Sequence, residues 1–181
     1  MLSQTQTVLP SVVALLAYHA EQLEVNEYTF FELTYARQTG WVALVARNSH
    51  KEQTESHPLA RGSGATAEIA ARLALESIKD LPVSIADMRA AGEQGATVLP
   101  GISKLMEQHN AFLPVYPNAY FEIAHSRRTG WACWLCTDSI DFNRHRVILA
   151  HAGAETVDKA AMRTATEGAR RLEEVHAGNP A

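Results

Sequence analysis

The residues best suited to chemistry in this chain belong to a five-residue pattern, Arg-x-Thr-Gly-Trp, that occurs twice. It runs from Arg37 to Trp41 and again from Arg127 to Trp131. An arginine guanidinium beside an indole ring can stack on a nucleobase or clamp an anion. The pattern therefore predicts two ligand-binding hairpins, which could form one pseudo-twofold pocket. The structural alternative is that each arginine packs over its own tryptophan, which then completes the edge of the core.

Further cationic side chains follow the second copy of the pattern. Arg128 directly follows Arg127, and Arg144 and Arg146 come after the next strand-like run. If the hairpin tip and this later loop converge, the cluster could bind a phosphate or an acidic partner. The alternative is a solvated surface on which neighbouring carboxylates balance the charge. The candidate ligand-binding residues are Arg37, Trp41, Arg127, Arg128, Trp131, Arg144 and Arg146.

Signatures of catalysis and of metal binding are weak. Glu32 and Glu122 occupy equivalent places, and two facing carboxylates could serve a hydrolase or transferase, but no nucleophile accompanies them. Cys133 and Cys136 have the spacing of a redox motif, yet that motif requires the start of a helix and these cysteines lie in a strand-like run. We therefore predict no catalytic residues, no metal and no cofactor, and a binding protein in preference to an enzyme.

Both copies of the pattern belong to a longer internal repeat. Residues 9–80 and 99–170 align without a gap at an offset of 90 residues and are identical at 18 of 72 positions. Chance at average composition would give about four or five identities. The sequence thus predicts a tandem duplication, with a first module at 9–80, a linker at 81–98 that could include one helical turn, and a second module at 99–172.

Each module has the same predicted order of elements, and together they predict an α+β fold. Apolar residues at helical spacing indicate a first helix, which begins near Pro10 in the first copy. Two β-rich runs follow over 28–37 and 41–47. A short third strand near 57–61 and a helix over about 66–80, with Thr66 as its N-cap, complete the module. The prediction is an α-β-β-β-α unit with an antiparallel three-stranded sheet.

The loop between the first two strands predicts how they pair. Gly40 supplies the left-handed conformation of a three-residue loop, which places Arg37 opposite Trp41. In the second copy, Tyr120 and Trp134 fall on the sheet face away from Trp131, so that face should also be covered. The face that we expect to cover the helices in the first copy carries Phe31, Leu33, Tyr35, Trp41 and Val45.

The α-β-β-β-α order and a glycine-marked entry to the last helix resemble the double-stranded-RNA-binding domain. Residues 62–66, Gly-Ser-Gly-Ala-Thr, followed by Ala70 and Ala74, are similar to that family's Gly-x-Gly-x-Ser stretch and its spaced alanines. The family grips phosphates with lysines at the start of this helix. Here Glu68 and, in the second copy, Asp158 stand among those positions. The resemblance implies the fold and argues against the family's usual RNA contact.

Composition limits the class of protein. The chain has 181 residues, 46% of them hydrophobic, and a net charge of −4, so it has enough apolar material for a core. Positive charge is not concentrated over a whole domain in a way that would attract nucleic acid or a membrane surface. Because no apolar stretch is long enough to span a bilayer, we expect a cytoplasmic protein.

From these features we expect a non-enzymatic binding protein that could form a homodimer. It would sequester or sterically block a small anionic, nucleotide-like ligand or a protein partner. In general character it resembles the phage and mobile-element inhibitors of bacterial immunity. One alternative is a double-stranded nucleic-acid-binding protein that uses its arginines and loses affinity steeply with salt. The other is a small hydrolase or transferase built on Glu32 and Glu122.

Overall fold

A computed structural model describes residues 9–36, 39–48, 56–94, 99–126, 128–138 and 146–178. Within these ranges the fold is α+β, as the sequence predicts, with five helices and one antiparallel sheet of six strands. The helices are α1 (Pro10–Val25), α2 (Ala67–Glu76), α3 (Val83–Gln94), α4 (Pro100–Phe112) and α5 (Val157–His176). The strands are β1 (Thr29–Ala36), β2 (Gly40–Asn48), β3 (Ser56–Gly64), β4 (Tyr120–Ser126), β5 (Gly130–Asp138) and β6 (Arg146–Ala154). None of the described helices is both long enough and apolar enough to cross a membrane.

Local sequence signals explain where the helices begin. Pro10 and Pro100 occupy the first turns of α1 and α4, where a missing N–H removes no helical hydrogen bond. Thr66 is the N-cap of α2, as predicted, and its hydroxyl accepts a hydrogen bond of 3.1 Å from the N–H of Ile69. Thr156 caps α5 in the same way. In both halves, therefore, the first helix begins with a proline and the last helix with a threonine N-cap.

The three strands of each half join into a single sheet with the order β3-β2-β1-β4-β5-β6. The two three-stranded sets predicted from the sequence are therefore not separate. Strands β1 and β4 pair antiparallel, with Leu33 opposite Ile123 at the centre of the junction. An unpaired strand edge exposes N–H and C=O groups, and each half satisfies those groups of the other.

The register predicted for the first hairpin is wrong by two residues. Trp41 pairs with Tyr35 instead of Arg37, and Gly40 pairs with Ala36. Gly40 does have a left-handed conformation, with φ of 66°, but it follows the loop instead of ending it. Because side chains alternate with a period of two, a shift of two residues leaves the same face inward. The predicted inward set is accordingly buried or partly buried in the core: Phe31, Leu33, Tyr35, Trp41 and Val45.

The helices pack on one face of the sheet. Helix α2 contacts β2 and β3, α5 contacts β5 and β6, and α1 contacts β1. The 81–98 segment, for which we expected about one helical turn, contains the 12-residue helix α3. Helix α3 packs against α1, and its Ile85 is fully buried. The face of the sheet that carries Trp134 has no described helix against it.

Candidate functional site

The two repeated tryptophans lie where the halves of the molecule meet. Trp41 is only 7% exposed, and its ring lies edge-on to Phe121 of the other half, with 5.1 Å between centroids. Trp131 lies edge-on to Phe31 at 5.5 Å. Each indole therefore packs against the opposite half, in the manner of a core residue. Trp41 in particular has almost no surface on which a ligand could stack.

Histidines complete this aromatic contact between the halves. His19 of α1 is buried, and its ring centroid lies 4.8 Å from that of His125 and 5.7 Å from that of Trp131. Burial, with a smaller contribution from His125, lowers the pKa of His19 to about 4. His109 of α4 is the equivalent residue, and its Nε2 is hydrogen-bonded to the carbonyl oxygen of Ala119 at 2.9 Å. His19 is thus neutral at pH 7 and packs as a core residue.

The cationic candidates are not gathered into one cluster within the described chain. Arg128 is exposed at the turn before β5. Arg146 starts β6 on the face away from the helices, where it forms a 3.2 Å ion pair with Glu122. Its Nε donates to the sulfur of Cys136 at 3.0 Å, and its guanidinium lies 5.4 Å from the centroid of the Trp134 ring. Arg37, Arg127 and Arg144 lie outside the described residues.

The paired carboxylates are neighbours on this same face. Glu32 pairs with Ala124 and Glu122 pairs with Thr34, so the two glutamates are diagonal neighbours across the β1–β4 junction. Burial first, and then the charge of Glu122, raise the pKa of Glu32. The described residues contain no group of three or more acidic, histidine or cysteine side chains that could hold a metal ion. The pair is therefore an electrostatic feature whose second member is already bound by Arg146.

The acidic residues at the start of α2 and α5 have a clear structural task. Glu68 accepts hydrogen bonds from the N–H of Ser11 at 2.7 Å and of Val12 at 3.3 Å. Asp158 accepts one from the N–H of Gly101 at 2.7 Å. These carboxylates satisfy unpaired N–H groups at the beginning of α1 and α4 and complement the helix dipoles. They hold α1 against α2 and α4 against α5.

A groove lies between β6 and α5. Its volume is about 520 Å³, and one side is formed by residues 148–152 of β6, which is the last strand of the sheet. The other side is formed by Arg163, Glu167 and Arg171. These three residues are spaced four apart and so share one face of α5. The groove thus combines the backbone edge of a strand with a row of charged side chains.

The first half closes the corresponding edge of the sheet. Strand β3 is the opposite end of the sheet, and its Arg61 donates its backbone N–H to the hydroxyl of Ser77 at 3.0 Å. Pro58 in the same strand has no N–H to offer. Proline on an edge and an edge donor that is already bonded are common protections against pairing with another strand. The β3 edge is therefore protected at two positions.

The second half lacks both protections. The equivalents of Pro58 and Arg61, 90 residues later, are Ile148 and His151, and the equivalent of Ser77 is Glu167. Trp134 pairs with His151 as Leu44 pairs with Arg61, so the N–H of His151 also faces away from the sheet. Glu167 makes no hydrogen bond to it, and its two oxygens accept from Arg170, at 2.6 Å and 3.2 Å. At these two positions the edge of β6 is open and the edge of β3 is closed.

The internal repeat is recognised from the positions that are identical in the two copies. The groove is built largely by residues at positions that differ, so the repeat did not indicate them. The groove could have been indicated by equivalent positions at which the side-chain chemistry changes between the copies, such as Leu73 and Arg163. The sequence therefore did not predict the groove. Comparison with known proteins adds no further guide: no protein-family model, no curated protein and no solved structure matches this chain.

Proposed function

We propose that this protein is a non-enzymatic binding protein that adds an extended segment of a partner protein to β6 as a seventh strand. The observation that carries the proposal is the groove of about 520 Å³ along the β6 backbone. Strand addition draws its affinity from main-chain hydrogen bonds and its specificity from the side-chain pockets beside the edge. The groove supplies both, since α5 forms its second wall.

The side chains of β6 favour pairing with another strand. Val147 and Ile148 are β-branched residues, which strands prefer, and they are 40% and 53% exposed. An edge strand with exposed apolar side chains and no protecting proline is a template for pairing with another chain. The contrast with Pro58 in β3 supports a binding role, because the same fold protects its other edge.

A different protein fits this edge better than a second copy of the same chain. Antiparallel pairing of two β6 strands about His151 would set two α5 helices side by side, with Glu167 near the twofold axis. Arg163 would then face Arg171 of the second copy. Like charges placed opposite one another disfavour such an interface. We therefore assign the groove to a partner of different sequence, which the protein would sequester or block sterically.

The test uses a peptide-display library, because it supplies extended segments of many sequences. Peptides selected on the intact protein should protect 148–152 and α5 from hydrogen exchange. A double variant, Ile148→Pro with Glu167→Ser, gives β6 the two residues that protect β3 in the first half. It should retain the fold, and peptide affinity should fall at least about tenfold, or about 1.4 kcal/mol.

The matched control is Ser77→Ala, which alters the opposite edge by removing the hydroxyl that binds Arg61. Peptide affinity at β6 should be unchanged in this variant. The proposal is rejected if selected peptides protect another surface, or if the double variant binds them as tightly as the original protein does. It is also rejected if selection yields no peptide that binds in solution.

A further inference from the structure

The wall that α5 contributes to the groove is cationic where the first half is apolar. Arg163 and Arg171 correspond to Leu73 and Leu81 in the first half. Leu81 packs against the core there. The second half thus carries two arginines where the first half has two apolar side chains, on the face of α5 that borders the groove.

Hydrogen-bond donors remain available on both arginines. Arg163 donates one N–H to the carbonyl oxygen of Gly153 at 3.1 Å, which leaves most of its five donors unused among the described residues. Arg171, whose side chain is 33% exposed, is bound to Glu174 through Nη1, which leaves its Nη2 unused among the described residues. The acid between them, Glu167, is already neutralised by Arg170. The groove therefore presents positive charge and donors to whatever binds in it.

We propose that the segment added to β6 is acidic and carries two carboxylate side chains four residues apart, one for Arg163 and one for Arg171. This inference rests on the proposed function and names its partner's chemistry. The spacing follows from geometry. Eight residues of α-helix rise about 12 Å, and four residues of an antiparallel strand span about 13 Å. Because residues i and i+4 of a strand share a face, both carboxylates can point towards α5.

Three nine-residue peptides of alternating valine and threonine test the proposal. In the first, glutamate replaces threonine at two positions four residues apart; in the second the two glutamates are two residues apart; the third keeps threonine throughout. Affinities are measured by fluorescence anisotropy with the intact protein. The first peptide should bind about tenfold more tightly than the threonine peptide, because charge-assisted hydrogen bonds to arginine are stronger than neutral ones. The second should gain less, since it reaches only one arginine.

Protein variants identify the groups responsible. Arg163→Leu and Arg171→Leu install leucine, as in the first half, and each should remove most of the acidic peptide's advantage without weakening the threonine peptide. Arg72→Leu removes an exposed arginine of α2 and is the charge-matched control. It should leave the preference unchanged. Thermal unfolding of each variant establishes that it is folded.

Each outcome separates this inference from the function on which it rests. If the threonine and glutamate peptides bind equally well, the acidic assignment is overturned and strand addition stands. If the acidic preference falls as much in Arg72→Leu as in Arg163→Leu, overall charge explains it and the two-arginine site is rejected. If no peptide binds the original protein, strand addition itself is rejected, and the assignment of its partner falls with it.

Discussion

Trp131 and Phe31 lie edge-on across the boundary between the two halves, with 5.5 Å between their ring centroids, although 100 residues separate them in the chain. Trp41 and Phe121 make the reciprocal contact at 5.1 Å. The tryptophan of each Arg-x-Thr-Gly-Trp pattern therefore packs against the half to which it does not belong. This relationship accounts for the repetition of the tryptophan without any ligand.

Replacing Trp41 with alanine should destabilise the whole molecule. The side chain is buried against Phe121, so we expect a loss of about 3–5 kcal/mol in the free energy of unfolding. Urea denaturation measures the change. Trp134→Ala, on the face without a described helix, is the control and should lose clearly less. Equal losses in the two variants would contradict a core role for Trp41.

The carboxylates that cap α1 and α4 should each stabilise the fold. Asp158→Ala removes the acceptor for the N–H of Gly101, and we expect a loss of about 1 kcal/mol, as for other helix caps. Glu68→Ala should behave similarly. Glu76→Ala breaks an exposed ion pair with Arg72 and should change stability by less than about 0.5 kcal/mol. Chemical denaturation distinguishes these cases, and an unchanged midpoint for Asp158→Ala would refute the capping role.

Gly101→Ala should destabilise the protein, although alanine favours helices over glycine by about 1 kcal/mol. A Cβ at this position would lie 1.9 Å from the carbonyl oxygen of Asp158, so α4 and α5 would have to separate. We expect a net loss of about 1–3 kcal/mol, as for other overpacked sites. Gly153→Ala is the control, because its Cβ would meet no atom closer than 3.4 Å. A more stable Gly101→Ala protein would show that the helices are not held so closely.

Stability should fall as the pH is lowered from about 6.5 to about 4. Burial lowers the pKa of His19 to about 4, and it also lowers the pKa values of His109 and His125. Since the pKa of histidine in the unfolded chain is about 6.5, the unfolded state binds protons first. The stabilisation from neutral His19 is complete above about 6.5 and is lost by about 4. Urea denaturation across this range should show a shallower decline for His19→Phe, and an unaltered one for the exposed His176→Gln.

Glu32→Gln should stabilise the protein at neutral pH. Burial and the charge of Glu122 raise the pKa of Glu32 in the folded state. Above that pKa the ionised carboxylate destabilises the folded state, whereas the neutral amide of glutamine does not. The stability gain should be present at pH 7 and should shrink as the pH falls and Glu32 becomes protonated. Denaturation at pH 7 and in mild acid measures the difference. A variant that is less stable at pH 7 would show that the carboxylate makes a favourable contact.

Side-chain patterns predict which face of each strand is buried better than they predict which residues pair across neighbouring strands. The alternation of Phe31 and Leu33 was enough to identify the inward face of β1, because any even shift preserves it. The register was not predicted, since a left-handed glycine can end a three-residue loop or begin the next strand, as Gly40 does. The β1–β4 pairing rests on backbone edges, which leave no side-chain signature. Helix α3 has little amphipathic pattern of its own and is stabilised by packing Ile85.

The candidate site was also predicted only in part. The sequence singled out Trp41 and Trp131 because they are repeated, and both pack at the boundary between the halves. The groove depends on residues that differ between the copies, such as Arg163, and on a strand edge that only the folded chain creates. Arg146 is ion-paired with Glu122, and the sequence cannot show that Glu122 would reach it.

The junction between β1 and β4 has a symmetry that relates folding to assembly. Leu33 pairs with Ile123, its own equivalent 90 residues later, and Phe31 pairs with His125 as Tyr35 pairs with Phe121. This is the isologous register that two identical strands adopt about a twofold axis. The contact that unites one chain has the form of a homodimer interface whose two subunits are covalently joined. Tethering makes that association independent of protein concentration, so each half finds its partner at the same effective concentration however dilute the protein becomes.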